Sequence, residues 1–180
     1  MLVHALRLRH VIMAILPAIL LSGCGTALDR QYQQLKDQMS GEIASQQVHI
    51  ERLQGAIKVV VNSELLFPSG GWQMPPSAAA TIAKMAPILA SQIQEHINVD
   101  GYTDSTPIGP ELAAQGVTSN LILSQKRAET VMNFLISQGV NPSMLSARGF
   151  GDASPVAPNN TAEGRSQNRR VELTLSAPTS

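Results

Sequence analysis

Few side chains in this chain of 180 residues have the types and spacing that catalysis requires. The sequence holds four histidines and one cysteine, and it contains no HExxH, GxSxG or SxxK pattern. Carboxylates such as Asp152 and Glu163 lie in a polar predicted loop, where nothing nearby marks them as a general acid and base. We therefore predict that the protein is not an enzyme.

The single cysteine, Cys24, is the side chain whose surroundings predict a covalent modification. It follows Arg7, Arg9 and the apolar run 11–20, which is too short to span a bilayer and is typical of a secretory signal peptide. Residues 21–24, Leu-Ser-Gly-Cys, match the lipobox of bacterial lipoproteins. This predicts a signal peptide over residues 1–23 and lipidation of Cys24, with palmitate among the expected acyl chains. A plain signal peptide with a chance cysteine, or an uncleaved anchor, is the alternative.

The composition excludes several further classes of protein. Lys and Arg total 13 against 13 for Asp and Glu, and the absence of a basic run argues against nucleic-acid binding. One cysteine can form neither an internal disulfide nor a thiolate metal cluster. We predict no cofactor and no metal ion. A hydrophobic content of 43% is enough for one folded domain.

Residues 24–56 are predicted to form a lipidated N-terminus followed by a helical or flexible spacer. Apolar residues recur there at steps of three or four positions, with one step of seven, which is nearly a heptad pattern. These residues are Leu28, Tyr32, Leu35, Met39, Ile43, Ile50, Leu53 and Ile57. A spacer, a self-associating coiled coil and a helix packed on its own domain all remain open.

Residues 57–176 are predicted to form one domain, with a tail at 177–180. Strands are predicted at 57–62, 97–102, 145–150 and 170–175, and helices at 78–91 and 120–135. The order along the chain is β-α-β-α-β-β. It predicts an α/β (α+β) two-layer sandwich with helices on one face of a mixed sheet.

Single residues set the predicted helix ends. Ser124 is predicted to cap the helix that ends at Leu135, and Gly139 and Pro142 are predicted to stop it. Pro87 is predicted to bend the earlier helix because it lacks a backbone donor.

Four ordered motifs in the second half of the chain resemble the OmpA-like peptidoglycan-binding domain. That domain occurs in outer-membrane protein A, peptidoglycan-associated lipoprotein and the flagellar stator protein MotB. The motifs are Gly-Tyr-Thr-Asp at 101–104, Asn-x2-Leu-Ser-x2-Arg-Ala-x2-Val-x3-Leu at 120–135, Ala-Arg-Gly-Phe-Gly at 147–151 and Glu-Gly-Arg-x2-Asn-Arg-Arg-Val-Glu at 163–172. The resemblance extends over residues 57–176.

The resemblance implies that the ligand is the diaminopimelate residue of the peptidoglycan stem peptide, which ends in an ammonium and a carboxylate on one carbon. Asp104 matches the family's aspartate that contacts the ammonium. Arg127 matches the arginine that contacts the carboxylate with both arms of its guanidinium, a geometry that lysine cannot reproduce.

Five more residues are implied at or near this site, and simpler roles remain open for several of them. They are Thr103, Tyr102, Asn120, Phe67 and Arg170. Arg170 could instead belong to a structural ion network with Arg169 and Glu172, and Asn120 could anchor a loop. Asp104 could cap a turn, and Arg127 could pair with Glu129 as a solvated charge.

The resemblance leaves two roles open for the whole protein. Gly25 follows the cysteine where an aspartate commonly signals inner-membrane retention, so we expect an outer-membrane lipoprotein whose domain faces the periplasm. It could tether that membrane to the wall, or it could be a structural subunit of an envelope-spanning secretion or motor complex with other protein partners. The long loop 105–119, which is similar to that of MotB-type members, motivates the second role.

Overall fold

The computed structural model describes residues 27–91 and 96–176. The predicted signal peptide, Cys24 and the tail 177–180 lie outside these residues. The strands are β1 (Val48–Leu53), β2 (Ala56–Asn62), β3 (His96–Gly101), β4 (Leu145–Gly149) and β5 (Arg170–Ser176). The helices are α1 (Ala27–Gln38), α2 (Ser40–Ala44), α3 (Ser63–Leu66), α4 (Pro76–Ala83), α5 (Ala86–Ala90), α6 (Pro110–Ala114), α7 (Asn120–Ser137) and α8 (Ala162–Asn168), with a 3-10 turn at Pro142–Met144. Within the two described ranges, no helix has the length and apolar character needed to cross a bilayer.

The strands form one mixed sheet in the order β1-β2-β5-β3-β4. Only the β3–β4 pair is parallel, and β5 lies in the centre between β2 and β3. Val171, Leu173 and Leu175 of β5 are fully buried in the core that the helices cover. The predicted two-layer sandwich with a mixed sheet is therefore confirmed.

The helix prediction is wrong for residues 48–53, which form the edge strand β1. Val48 and Ile50 are buried while His49 and Glu51 are exposed, and this alternation is that of a strand. A turn with Gly55 at φ +74° joins β1 to β2, and Val48 pairs with Val61. The apolar residues 50, 53 and 57 also fit a helical spacing, which is why the pattern alone was ambiguous.

The helices before β1 pack on the domain. Leu35 and Met39 are fully buried in the same core as the sheet, and α1 contacts α5, β1 and β2. For residues 27–44, the structure agrees with the third of the three alternatives, a helix packed on its own domain.

Two helix boundaries differ from the predictions. The predicted helix over 78–91 is divided into α4 and α5, and the break falls at Lys84 and Met85 rather than at Pro87. Pro87 lies in the first turn of α5, where its missing N–H costs no hydrogen bond. The cap of α7 is Ser119, whose Oγ accepts from the Ile122 amide at 3.2 Å, so the predicted cap Ser124 is wrong. The predicted stop is correct, since Gly139 has φ +93°.

Ser124 instead holds α7 against the sheet. Its Oγ accepts a hydrogen bond from the Gly151 amide at 2.8 Å, and Gln125 Oε1 accepts from the Gly149 amide at 2.7 Å. Gly101 and Gly149 are partners in the β3–β4 register, and a Cβ on either would collide with the backbone of α7. Two glycines on neighbouring strands thus let α7 lie directly on the end of the sheet.

Candidate functional site

An open cleft of about 970 Å³ lies at the end of β3, beside the N-terminal half of α7. Its other walls are the loop after α3 and the long loop between β3 and α7. It brings together five of the residues predicted for the site: Phe67, Thr103, Asp104, Asn120 and Arg127.

Asp104 is a buried carboxylate with both oxygens engaged. Oδ1 accepts from the Thr106 amide at 2.9 Å, and Oδ2 accepts from Arg169 Nη1 at 2.5 Å. Burial alone would raise the pKa of Asp104, but the hydrogen bonds from Arg169 and Thr106 outweigh it and hold this pKa below its ordinary value of 3.8. The side chain is therefore an anion at neutral pH. The hydrogen bond from Thr106 also means that Asp104 caps a turn, which was the alternative role considered for it.

The lowered pKa of Asp104 predicts how stability depends on pH. Because the folded-state pKa lies below the unfolded one, the ionised carboxylate stabilises the fold above the unfolded value of 3.8. This contribution is lost as the pH falls through the folded-state pKa. We expect urea unfolding to show wild type more stable than Asp104→Asn at neutral pH, with the difference shrinking below pH 3.8. A constant difference down to acid pH would contradict the ion pair.

Arg127 is a buried cation without an acidic partner. It is 4% exposed, its Nε donates to the Gly71 carbonyl at 2.8 Å, and its guanidinium lies 5.4 Å from the centre of the Phe67 ring. Among the described residues it forms no ion pair. Glu129, the alternative partner, accepts from Gln125 instead. Burial, and next the charge of Arg169, lowers the pKa of Arg127 to about 10, so it remains charged at neutral pH.

Thr103 and Asn120 shape the cleft in different ways. Thr103 is held by its amide, which donates to the Gly151 carbonyl at 2.9 Å, while its buried Oγ1 has no hydrogen-bond partner in the described part of the chain. Asn120 Nδ2 donates to the carbonyls of Asp104 and Thr106, at 3.3 and 3.1 Å. Asn120 is therefore a loop anchor, which was the simpler of its two predicted roles.

Two further residues of the cleft were not predicted as site residues. Arg169 bridges Asp104 and Glu64, donating Nη1 to the first and Nη2 to the second. The sequence suggested Arg169 only as part of an ion network, and it gave no sign of Glu64, which is brought near by the single turn of α3.

Tyr102 and Arg170, which were predicted for the site, lie on the opposite face of the sheet. The Arg170 guanidinium stacks on the Tyr102 ring at 3.8 Å, and this ring stacks in turn on Phe150 at 5.0 Å. Arg170 Nε also donates to Glu172 at 2.7 Å, as expected of a structural ion network. Side chains alternate along strands, so Gly101 and Val171 face the helices while Tyr102 and Arg170 face away. Their placement at the ligand site is corrected accordingly.

The charged side chains of the cleft suit the recognition of a charged ligand. Over residues 27–91 and 96–176, no three His, Cys, Asp or Glu side chains lie close enough to hold a metal ion. The cleft presents Asp104 beside Arg169 at one point and the unpaired cation of Arg127 at another. This arrangement suits a group that carries an ammonium and a carboxylate close together.

Comparison with known proteins agrees with this fold. A model of the OmpA family matches residues 66–169, and the resemblance noted from the four motifs is thereby confirmed. The chain is 38% identical to the probable lipoprotein YiaD of Escherichia coli K12 over 154 residues, covering 86% of this chain and 65% of YiaD. It is 42% identical to motility protein B of Helicobacter pylori over 95 residues, covering 53% of this chain and 35% of that protein. The chain thus spans less than two thirds of the length of these relatives.

A solved structure supports the same relationship. The cell wall anchor of the T6SS from Pseudomonas aeruginosa superposes with a TM-score of 0.72 at 30% identity, covering 80% of this chain and 97% of that one.

Proposed function

Because the chain belongs to the OmpA family, we propose that it binds peptidoglycan non-covalently, through the diaminopimelate of the stem peptide. In this proposal it is an outer-membrane lipoprotein that tethers the membrane to the wall. The names of similar proteins support both the lipid anchor and the wall binding: one is a probable lipoprotein and another is a cell wall anchor. No catalytic activity is part of the proposal.

The observation that carries this proposal is the buried, unpaired charge of Arg127. Burying a cation without an anion is costly, so a side chain held in this way is poised for an anionic ligand. The Gly71 carbonyl occupies Nε and leaves the two terminal nitrogens for a carboxylate. Two parallel N–H···O bonds from one guanidinium match the geometry of a carboxylate.

Asp104 supplies the opposite charge for the ligand's ammonium. A carboxylate oxygen accepts more than one hydrogen bond, so an ammonium can share Asp104 with Arg169 and Thr106. Phe67 supports the guanidinium of Arg127 from one side. The unsatisfied hydroxyl of Thr103 offers a further hydrogen bond.

Membrane attachment rests on Cys24 and on the family relationship. The relative YiaD is named a probable lipoprotein, and Cys24 ends a lipobox in this chain. We propose cleavage before Cys24 and a lipid anchor in the outer membrane. The domain follows soon after, because α1, which begins at Ala27, already packs on the core. Labelling cells with tritiated palmitate should mark the wild-type protein and leave Cys24→Ala unlabelled. Equal labelling of both would contradict the anchor.

A second role is favoured by the similarity to a T6SS anchor and to a motility protein. In this role the protein is a subunit of an envelope-spanning secretion or motor complex, and wall binding only positions it. Gentle detergent extraction followed by affinity purification should then yield a large complex of fixed composition. Recovery of the protein alone would favour the simple tether.

We expect the purified protein to cosediment with sacculi that contain diaminopimelate, and free meso-diaminopimelate to displace it. Asp104→Asn should retain the fold yet bind at least about tenfold more weakly, because the ligand's ammonium loses its charged partner. Quantifying the protein in pellet and supernatant measures both effects.

Sacculi whose stem peptides carry lysine in place of diaminopimelate provide the control. Lysine lacks the carboxylate beside the distal ammonium, so Arg127 would remain unpaired and binding should fall to background. Equal binding to both kinds of sacculi would show that diaminopimelate is not the ligand.

A further inference from the structure

The cleft extends well beyond its charged residues, and the extension has a different chemistry. Charged side chains cluster where Asp104, Arg127 and Arg169 meet. Towards the long loop, the lining residues include Trp72, Ile108 and Leu112, together with prolines on both loops. Glu111 adds a carboxylate to this wall, and it is exposed to solvent. One cleft therefore joins a charged end to a mainly apolar wall.

We propose that Trp72, Ile108 and Leu112 form a second subsite, which binds the apolar part of the stem peptide that adjoins the diaminopimelate. The proposal rests on the proposed function, because it takes the charged end of the cleft as the diaminopimelate site. It gives the long loop 105–119 a role in ligand selection.

The two loops that form the wall approach each other closely. A Cβ built on Gly70 would lie 3.6 Å from Leu112 Cδ1, so the loop after α3 and the helix α6 of the long loop approach to contact distance. Lys126 Nζ lies 5.2 Å from the centre of the Trp72 ring. Arg127 binds the carbonyl of Gly71, next to Trp72. A ligand carboxylate on Arg127 would therefore lie close to the wall.

Continuity of the ligand argues for a peptide at this wall. The ammonium and carboxylate of diaminopimelate are joined to the stem peptide by a short methylene chain. When they occupy Asp104 and Arg127, the methylenes stay beside the charged end, and the adjoining peptide runs out along the open cleft towards this wall. Apolar side chains bind the methyl and methylene groups of that peptide by removing them from water, which stabilises the complex.

The test compares two soluble ligands, free meso-diaminopimelate and a stem tetrapeptide with meso-diaminopimelate as its third residue. Titration calorimetry on the purified protein should show tighter binding of the tetrapeptide by wild type. Ile108→Ser should weaken tetrapeptide binding about tenfold and leave the affinity for free diaminopimelate within about twofold. Trp72→Ala provides a second variant on the facing loop with the same expected pattern.

Leu121→Ser is the matched control, since Leu121 is 57% exposed on α7 and does not line the cleft. It should leave the affinity for both ligands unchanged. Equal affinities of wild type and Ile108→Ser for the tetrapeptide, or an equal loss for both ligands, would overturn the second subsite. A loss that appears with sacculi but not with the tetrapeptide would assign the wall to glycan and also overturn it. If wild type binds neither soluble ligand, the proposed function itself fails.

Discussion

Replacing Arg127 by methionine is expected to weaken the affinity for sacculi at least about a hundredfold without lowering the melting temperature. Arg127 is buried and has no acidic partner among the described residues, and burial lowers its pKa to about 10. A side chain in that position contributes little to stability, because its desolvation is not offset by an ion pair. Methionine of similar length can fill the space beside Phe67 without a charge to bury.

This combination separates a ligand-binding arginine from a structural one. If Arg127 mainly held the loop through Gly71, the variant would unfold at a lower temperature, and its loss of binding would follow from disorder. If Arg127 binds the ligand, affinity falls while thermal unfolding followed by circular dichroism is unchanged or shifted upward. Arg127→Lys tests charge alone: it should also bind weakly, because an ammonium cannot make the two parallel bonds to a carboxylate.

Arg148→Met is the matched control for these variants. Arg148 is an exposed arginine on β4 that packs on Phe150, on the face of the sheet away from the cleft. Its replacement should leave sacculus binding unchanged. A similar loss in both variants would indicate that binding depends on overall positive charge rather than on the cleft.

The positions of Arg169 and Arg170 show what a sequence can and cannot determine about such a site. Arg169 and Arg170 are adjacent and identical in type, and only strand alternation distinguishes them. Val171 faces the core, so Arg170 faces the other side of the sheet, and Arg169 is the residue that reaches Asp104. The same reasoning applies to Tyr102, which follows the inward-facing Gly101. Motif matching selected Tyr102 and Arg170, whereas alternation would have excluded both.

Other differences arise from contacts that no local pattern encodes. The edge strand β1 shares a three- or four-residue apolar spacing with the preceding helices, and its pairing with β2 is a tertiary preference. Glu64 reaches the cleft because it lies on α3, a single turn that ends at Leu66 beside the cleft. By contrast, the central strands carry β-branched or alternating residues, and these were predicted to within one residue at most ends. Asp104 and Arg127 are 23 positions apart, and both line the cleft. Their proximity could be predicted only from the domain resemblance, because their spacing in the sequence does not indicate the topology.

The position of Arg127 depends in turn on a glycine that contributes no side chain to the cleft. Gly149→Ala is expected to destabilise the fold by about 3 kcal/mol, because the atoms nearest the added methyl group belong mainly to the helix backbone, which cannot move aside easily. The added Cβ would lie 2.4 Å from the Gln125 amide nitrogen and 2.6 Å from Ser124 Oγ, both on α7. The Gly149 amide also donates to Gln125 Oε1, so a shift of α7 would stretch this bond as well.

The effect of Gly149→Ala should extend to binding, since Arg127 lies two residues beyond Gln125 on α7. We expect a fall in melting temperature of about 10 °C and, below that temperature, weaker cosedimentation with sacculi. Gly41→Ala is the matched control: outside its own helix, no atom of the described residues lies within 4 Å of its Cβ position, and alanine favours the helix. It should leave binding unchanged and stability equal or slightly higher. If Gly149→Ala were as stable as Gly41→Ala, α7 would not lie directly on the sheet, and the geometry that holds Arg127 over the cleft would be wrong.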